Sequence, residues 1–156
     1  MLESWLRIAQ YGHRFLLRME LQYQVEFSAA HRLAREEWSE ERNLEVFGAC
    51  ANPHGHGHNY QLCVIVRGDV DTETGMVMDF LALAALVKER IFDKVDHRNL
   101  EMDVPFLEGV LTTAENLLKV FWQELQGGLP GGVALHSLRL QESRDYSCTY
   151  YGPTHV

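Results

Sequence analysis

The amino-acid sequence predicts an α+β domain in which two helices cover one face of a four-stranded antiparallel sheet. Three observations lead there. Apolar residues alternate with period 2 near both ends of the chain, two central stretches switch to helical spacing, and clusters of turn-forming residues separate these segments. The resulting order is strand, strand, helix, helix, strand, strand.

Residues 1–18 read as an N-terminal extension whose irregular apolar pattern (Leu2, Trp5, Leu6, Ile8) is compatible with a short helix; Met19 is a second candidate start. Residues 19–156 form the single predicted domain. The first strand spans Met19 to Phe27, with Leu21, Tyr23 and Val25 on one face and Gln22 and Gln24 on the other. The charged stretch 34–45 is an exposed loop or short helix, followed by the turn formers of Phe47–Pro53. A second strand runs from Tyr60 to Val66, with Leu62, Val64 and Val66 on one face. After a turn at Asp71–Gly75, Asp79 is the expected cap of a helix whose stripe is Phe80, Leu83, Ala84, Val87 and Ile91.

A polar loop, Asp96–Asp103, ends at Pro105. The second helix starts at a capping box with Thr112 as cap and Glu115 at its third position, buries Leu118, Phe121, Trp122 and Leu125, and stops at Gly127–Gly132. Val133–Glu142 and Tyr146–Tyr151 form a closing hairpin. Such short strands leave sheet edges open, and open edges invite pairing with another chain, so a homo-oligomer is expected.

At 156 residues the chain has the size of one domain and buries roughly two-thirds of its unfolded surface on folding. A formal charge of −8 argues against a duplex nucleic-acid partner, which requires a basic face. No apolar run approaches the roughly 20 residues of a membrane span, and no signal-peptide pattern opens the chain. Three cysteines cannot form a complete disulfide framework, which fits a reducing cytoplasmic setting.

Histidine is the unusual residue: there are eight, three of them in His54-Gly55-His56-Gly57-His58. His56 and His58, two apart at the entrance to a strand, point to the same side and can grip one metal ion. His31, from the end of the first strand, or His54 supplies a third nitrogen; a ligand from a separate segment fixes geometry better, which favours His31. Three histidines with an open position describe a catalytic zinc site, the alternative being a surface loop that binds metals adventitiously.

Cys50 lies six residues before His56. Beside Zn²⁺ or a protonated histidine its thiol is readily deprotonated and becomes a base; otherwise it is a small buried apolar residue, the reading given to Cys63 and Cys148. The adjacent Asp96 and His97 form either an ordinary loop pair or an oriented imidazole that relays a proton. Glu142 is either a solvated strand end or a carboxylate that accepts paired N–H donors from a ligand.

Several of these segments together resemble the 6-pyruvoyl-tetrahydropterin synthase and 6-carboxytetrahydropterin synthase family. They are Phe27–Leu33, Phe47–Cys50, Gly55–Tyr60, Gly75–Asp79, Val95–Leu100 and Met102–Pro105, in order within a match from about Phe27 to Tyr151. The resemblance implies the tunnelling fold (T-fold), in which sheets from several subunits join into a barrel, commonly in a hexamer. It implies zinc held by His31, His56 and His58. Cys50 takes the position of the catalytic cysteine, Asp96 and His97 that of its partner pair, and Glu142 that of the glutamate anchoring the pterin ring. Glu115 falls where the family helps hold the pterin, although Ala114 replaces a more usual Thr or Ser.

The substrate so implied is 7,8-dihydroneopterin triphosphate, with triphosphate leaving by elimination. The six-residue step from Cys50 to His56 resembles the pyruvoyl branch, the alternative being the carboxy branch of queuosine biosynthesis, which also releases acetaldehyde. A non-catalytic zinc- or pterin-binding module is a third reading, weakened by the presence of Cys50, Asp96 and His97 together.

Overall fold

A computed structural model describes residues 18–153; the predicted helix within the N-terminal extension lies outside them. Strand β1 (Arg18–His31) precedes helix α1 (Glu40–Phe47) and a tight 3-10 turn at Gly48–Ala51. Strand β2 (His56–Asp69) is followed by helix α2 (Phe80–Val87), a wide π turn (Lys88–Phe92), a last helical turn α3 (Asp93–Val95) and strand β3 (Arg98–Asn99). Helix α4 (Ala114–Gln126) then leads into strands β4 (Val133–Gln141) and β5 (Ser147–Tyr150). The sheet order is β3-β1-β2-β4-β5, antiparallel except for β1 with β3.

The α+β class and the helices on one face match the sequence reading; the strand count is five rather than four. The fifth, β3, is a two-residue strand beside Ala29 and Ala30, inside what reads as a polar loop. Two residues are too few to carry a period. Both long strands exceed their expected limits. β1 continues through Ser28, Ala29 and Ala30 to His31, and β2 begins at His56. These ends pair with each other in continuous register, so neighbouring backbone completes what side-chain propensity did not signal.

One sheet face carries Phe27, Ala29 and His31 from β1 and Tyr60, Leu62, Val64 and Val66 from β2, all buried under the helices. The other presents Gln22, Gln24, Glu26 and Asn59, tied by cross-strand bonds such as Gln24–Gln61 and Ser28–Asn59. Asp79 caps α2 as expected, its carboxylate accepting from the Leu81 N–H at 2.8 Å. The buried stripe is Leu83, Val87, Ile91 and Val95, while Phe80 is 63% exposed. Spacing of four overshoots the 3.6-residue α-turn, and the wide turn at Lys88–Phe92 takes up the excess, keeping all four residues inward.

The capping residue of α4 is Thr113, not Thr112: its hydroxyl accepts from the Asn116 N–H, which moves Glu115 to the second helical position. Thr112 is fully buried and turns toward His31. On the opposite side of α4, Leu117, Leu118, Phe121, Trp122 and Leu125 close the core, and Gly127 ends the helix.

Candidate metal and catalytic site

Register builds the centre of the site. On the helix-covered face of the β1–β2 ladder, three cross-strand pairs follow one another: Phe27 with Tyr60, Ala29 with His58, and His31 with His56. Ala29 is small, and the space beside it admits the His58 imidazole. Gly55 and Gly57 bring β2 close: a Cβ at Gly55 would stand 2.9 Å from the His31 carbonyl oxygen, and one at Gly57 3.0 Å from that of Ala29. The first also has φ of 68°, so only glycine is unstrained there.

His31, His56 and His58 thus converge, with one potential ligand atom from each lying within 4.8 Å of the others. The Nε2 atoms of His31 and His56 face each other at 3.0 Å. His58 Nε2 and His56 Nδ1 are buried without a hydrogen-bond partner. Three imidazoles converging this closely, with His58 Nε2 buried and unpartnered, fit a cation, and a neutral three-nitrogen set suits zinc with a fourth position open. Burial lowers the pKa of His31, as does neighbouring His56, against the opposing pull of the Thr112 carbonyl and Glu142. Burial likewise lowers that of His58, although Glu142 opposes it. Both therefore favour the neutral form that a metal requires. His54, the alternative third ligand, is exposed and outside this cluster.

Glu142 leaves the end of β4 and reaches the same cluster. Its Oε1 lies 3.4 Å from Nε2 of both His31 and His58 and accepts the Tyr60 hydroxyl at 3.3 Å. Tyr60 is fully buried; burial and the Glu142 charge together push its phenol strongly up, so it stays a donor. Sequence reading missed Tyr60, although its position two after His58 puts it on the ligand face.

Cys50 sits in the 3-10 turn, half-buried, with its carbonyl accepting from the N–H of Leu33 at 2.9 Å. That bond ties it to the residue two past His31. Asp96 and His97 stand apart, on the β3 side. The Asp96 carboxylate accepts from His97 Nδ1 at 2.8 Å and from the Ser28 N–H at 3.0 Å. The His97 N–H donates to the Ser28 carbonyl at 2.6 Å, its backbone is left-handed (φ 55°), and its imidazole is 81% exposed. Glu115 lies on the exposed start of α4 near Cys148, whose thiol is pushed up by burial and by the Glu115 charge.

An open cleft of about 1060 Å³ runs across the strand ends, with His97 and Arg98 toward β3, and His58, Glu142 and Arg144 toward β2 and β4. The structure thus gathers the three histidines, Tyr60 and Glu142, sets His97 at the far side of the cleft that His58 and Glu142 line, and ties Cys50 by its backbone to Leu33, two residues past His31.

Together, the sheet, its helix-covered face and the three-histidine cluster define a tunnelling-fold protein with a metal-competent site. The profile of the family described as 6-pyruvoyl tetrahydropterin synthase matches residues 20–153, and the chain belongs to that family. It is 44% identical over 128 residues to the human 6-pyruvoyl tetrahydrobiopterin synthase, covering 82% of this chain and 88% of that protein. It is also 34% identical over 126 residues to a dihydroneopterin monophosphate aldolase from Pyrococcus furiosus, covering 80% of this chain and 90% of the relative. The solved Caenorhabditis elegans 6-pyruvoyl tetrahydropterin synthase superimposes with a TM-score of 0.81 at 37% identity, covering 87% of this chain and 96% of that one.

Proposed function

We propose that the protein is a zinc-dependent lyase that converts 7,8-dihydroneopterin triphosphate to 6-pyruvoyl-tetrahydropterin with release of triphosphate. The observation that carries this reading is the convergence of His31, His56, His58 and Glu142 at the strand ends of a chain in the synthase family. His31, His56 and His58 would hold the ion. Zinc, when bound, supplies Lewis acidity toward the side-chain hydroxyls and the C–H bonds beside them.

The remaining work falls to the chain's own residues. Cys50, as its thiolate, would take a proton from a side-chain carbon. Asp96 orients His97 by accepting from Nδ1, leaving Nε2 exposed to the cleft to give or receive a proton. Glu142, steadied by Tyr60, offers its carboxylate to the amino-pyrimidine edge of the pterin, and Glu115 is a second pterin contact.

Assembly belongs to the same proposal. Among the described residues, β1 has a strand partner on its outer side only at Ala29 and Ala30, and the polar sheet face carries no helix. A homo-oligomer, commonly a hexamer in this fold, would pair such edges and enclose that face as a barrel wall.

Product analysis tests the reading. Incubation of the zinc-loaded protein with 7,8-dihydroneopterin triphosphate should give triphosphate and the 6-pyruvoyl product without acetaldehyde. Acetaldehyde together with 6-carboxytetrahydropterin would move the protein to the carboxy branch. Absence of turnover with zinc bound would leave a binding module.

A further inference from the structure

His31 owes its orientation to a contact chain that ends on a carboxylate outside the cluster. Its Nδ1 lies 3.1 Å from the Thr112 carbonyl oxygen and 3.3 Å from the Thr112 hydroxyl oxygen. Both side chains are fully buried, so no solvent competes for these contacts. The Thr112 hydroxyl donates its own proton to Glu101 Oε1. The two Glu101 oxygens also accept from the N–H of Arg32, the residue after His31, at 3.3 and 3.2 Å. In turn, the Glu101 N–H is held by Asn99 Oδ1 at 3.0 Å.

With its proton committed to Glu101, Thr112 can only accept from His31. Nδ1 must then carry the hydrogen, and the Nε2 lone pair is left facing His56, His58 and Glu142. Were the hydroxyl released, it would compete with the carbonyl by donating to Nδ1, and any Nε2–H form so favoured would block a ligand position. A carboxylate acting on a ligating imidazole is a recurring metal-site device, here with a threonine hydroxyl inserted between the two.

We propose that Glu101 is a positioning residue which, through the Thr112 hydroxyl, locks His31 in the Nδ1–H tautomer and so presents Nε2 to the metal. This rests on the zinc reading of the three-histidine cluster. In Glu101→Gln, the Arg32 N–H claims the amide oxygen and the amide NH₂ is left against the Thr112 hydroxyl, releasing the lock.

The test is zinc affinity by chelator competition on the purified full chain, together with ¹⁵N shifts of the His31 ring in the metal-free protein. Glu101→Gln should weaken zinc binding roughly 10- to 100-fold, whereas Thr112→Val, which removes the competing donor and leaves the carbonyl on Nδ1, should bind like the wild type and restore binding in the Glu101→Gln background. Thr112→Ser, which keeps the hydroxyl, should bind like the wild type. The ¹⁵N signature of His31 should move from Nδ1–H toward Nε2–H in Glu101→Gln. Unchanged affinity in Glu101→Gln overturns the proposal, and so does weakened binding with the tautomer unmoved, which would make Glu101 a purely structural residue. If Glu101→Gln does not fold, the wild-type ¹⁵N shifts decide, because an Nε2–H ring at His31 in the metal-free protein overturns the proposal. A wild type that takes up no zinc overturns the metal reading itself, a result distinct from unaffected variants of a zinc-binding wild type.

Discussion

His31 and His56 stand directly opposite each other in the β1–β2 ladder, and their Nε2 atoms are 3.0 Å apart. At that separation one ring donates its N–H to the other, or a cation takes both lone pairs, so a bound metal replaces a histidine–histidine hydrogen bond with two ligand bonds. Metal should therefore stabilise the fold by about 2.7 kcal/mol at a hundredfold excess over its dissociation constant. For a chain of this size that amounts to a rise in Tm of roughly 5–10 °C. Thermal melts with and without a chelator should differ by this amount in the wild type and coincide in His56→Ala.

Cys50 is fastened by its backbone to Leu33, so trimming its side chain leaves the turn intact. Cys50→Ala should lose about 10²–10⁴-fold in turnover of 7,8-dihydroneopterin triphosphate, the usual span for a lost general base, while zinc content measured by mass spectrometry stays at the wild-type level.

Asp96 predicts a pH dependence. Burial pushes its carboxyl up, but the Ser28 N–H and His97 outweigh that and hold it below the ordinary value of 3.8. A depressed carboxyl contributes stability that is fully present above its unfolded pKa and disappears as pH falls through its folded one. Asp96→Asn should therefore cost about 1–2 kcal/mol in urea unfolding at neutral pH, with the deficit shrinking progressively below pH 3.8.

Gly55 should tolerate no side chain. Its left-handed backbone and the His31 carbonyl 2.9 Å from a would-be Cβ act together. Gly55→Ala is expected to destabilise by about 1–2 kcal/mol and to reduce zinc uptake. Gly131→Ala, with open space around it, should stay within about 0.5 kcal/mol of the wild type. Denaturant midpoints of the two variants make the comparison.

The sequence exposes the parts of this arrangement that depend on spacing. Period 2 puts His56 and His58 on one face of β2, and Asp79 marks a helix start by side-chain chemistry alone. What depends on pairing is less visible. Ser28, Ala29 and Ala30 carry weak strand preference, and β1 extends to His31 because β2 and β3 flank it. The two threonines before α4 are equally good caps by composition; burial against His31 assigns Thr112 to the site and Thr113 to the helix. Glu101 and Tyr60 lie in segments that read as loop and strand, and only the folded chain brings them to His31 and Glu142.

The wide turn at Lys88–Phe92 fixes a rotational phase as well as accommodating the core. Each residue of an α-helix turns the chain by about 100°, so deleting one residue here would swing everything downstream by that angle. Val95 would leave the core, and Asp96 would face away from Ser28 even with every upstream contact preserved. The number of residues in this turn is therefore under tighter constraint than their identity: the exposed Lys88, Glu89 and Arg90 are free to drift in sequence, whereas an insertion or deletion among them would disconnect the Asp96–His97 pair from the cleft.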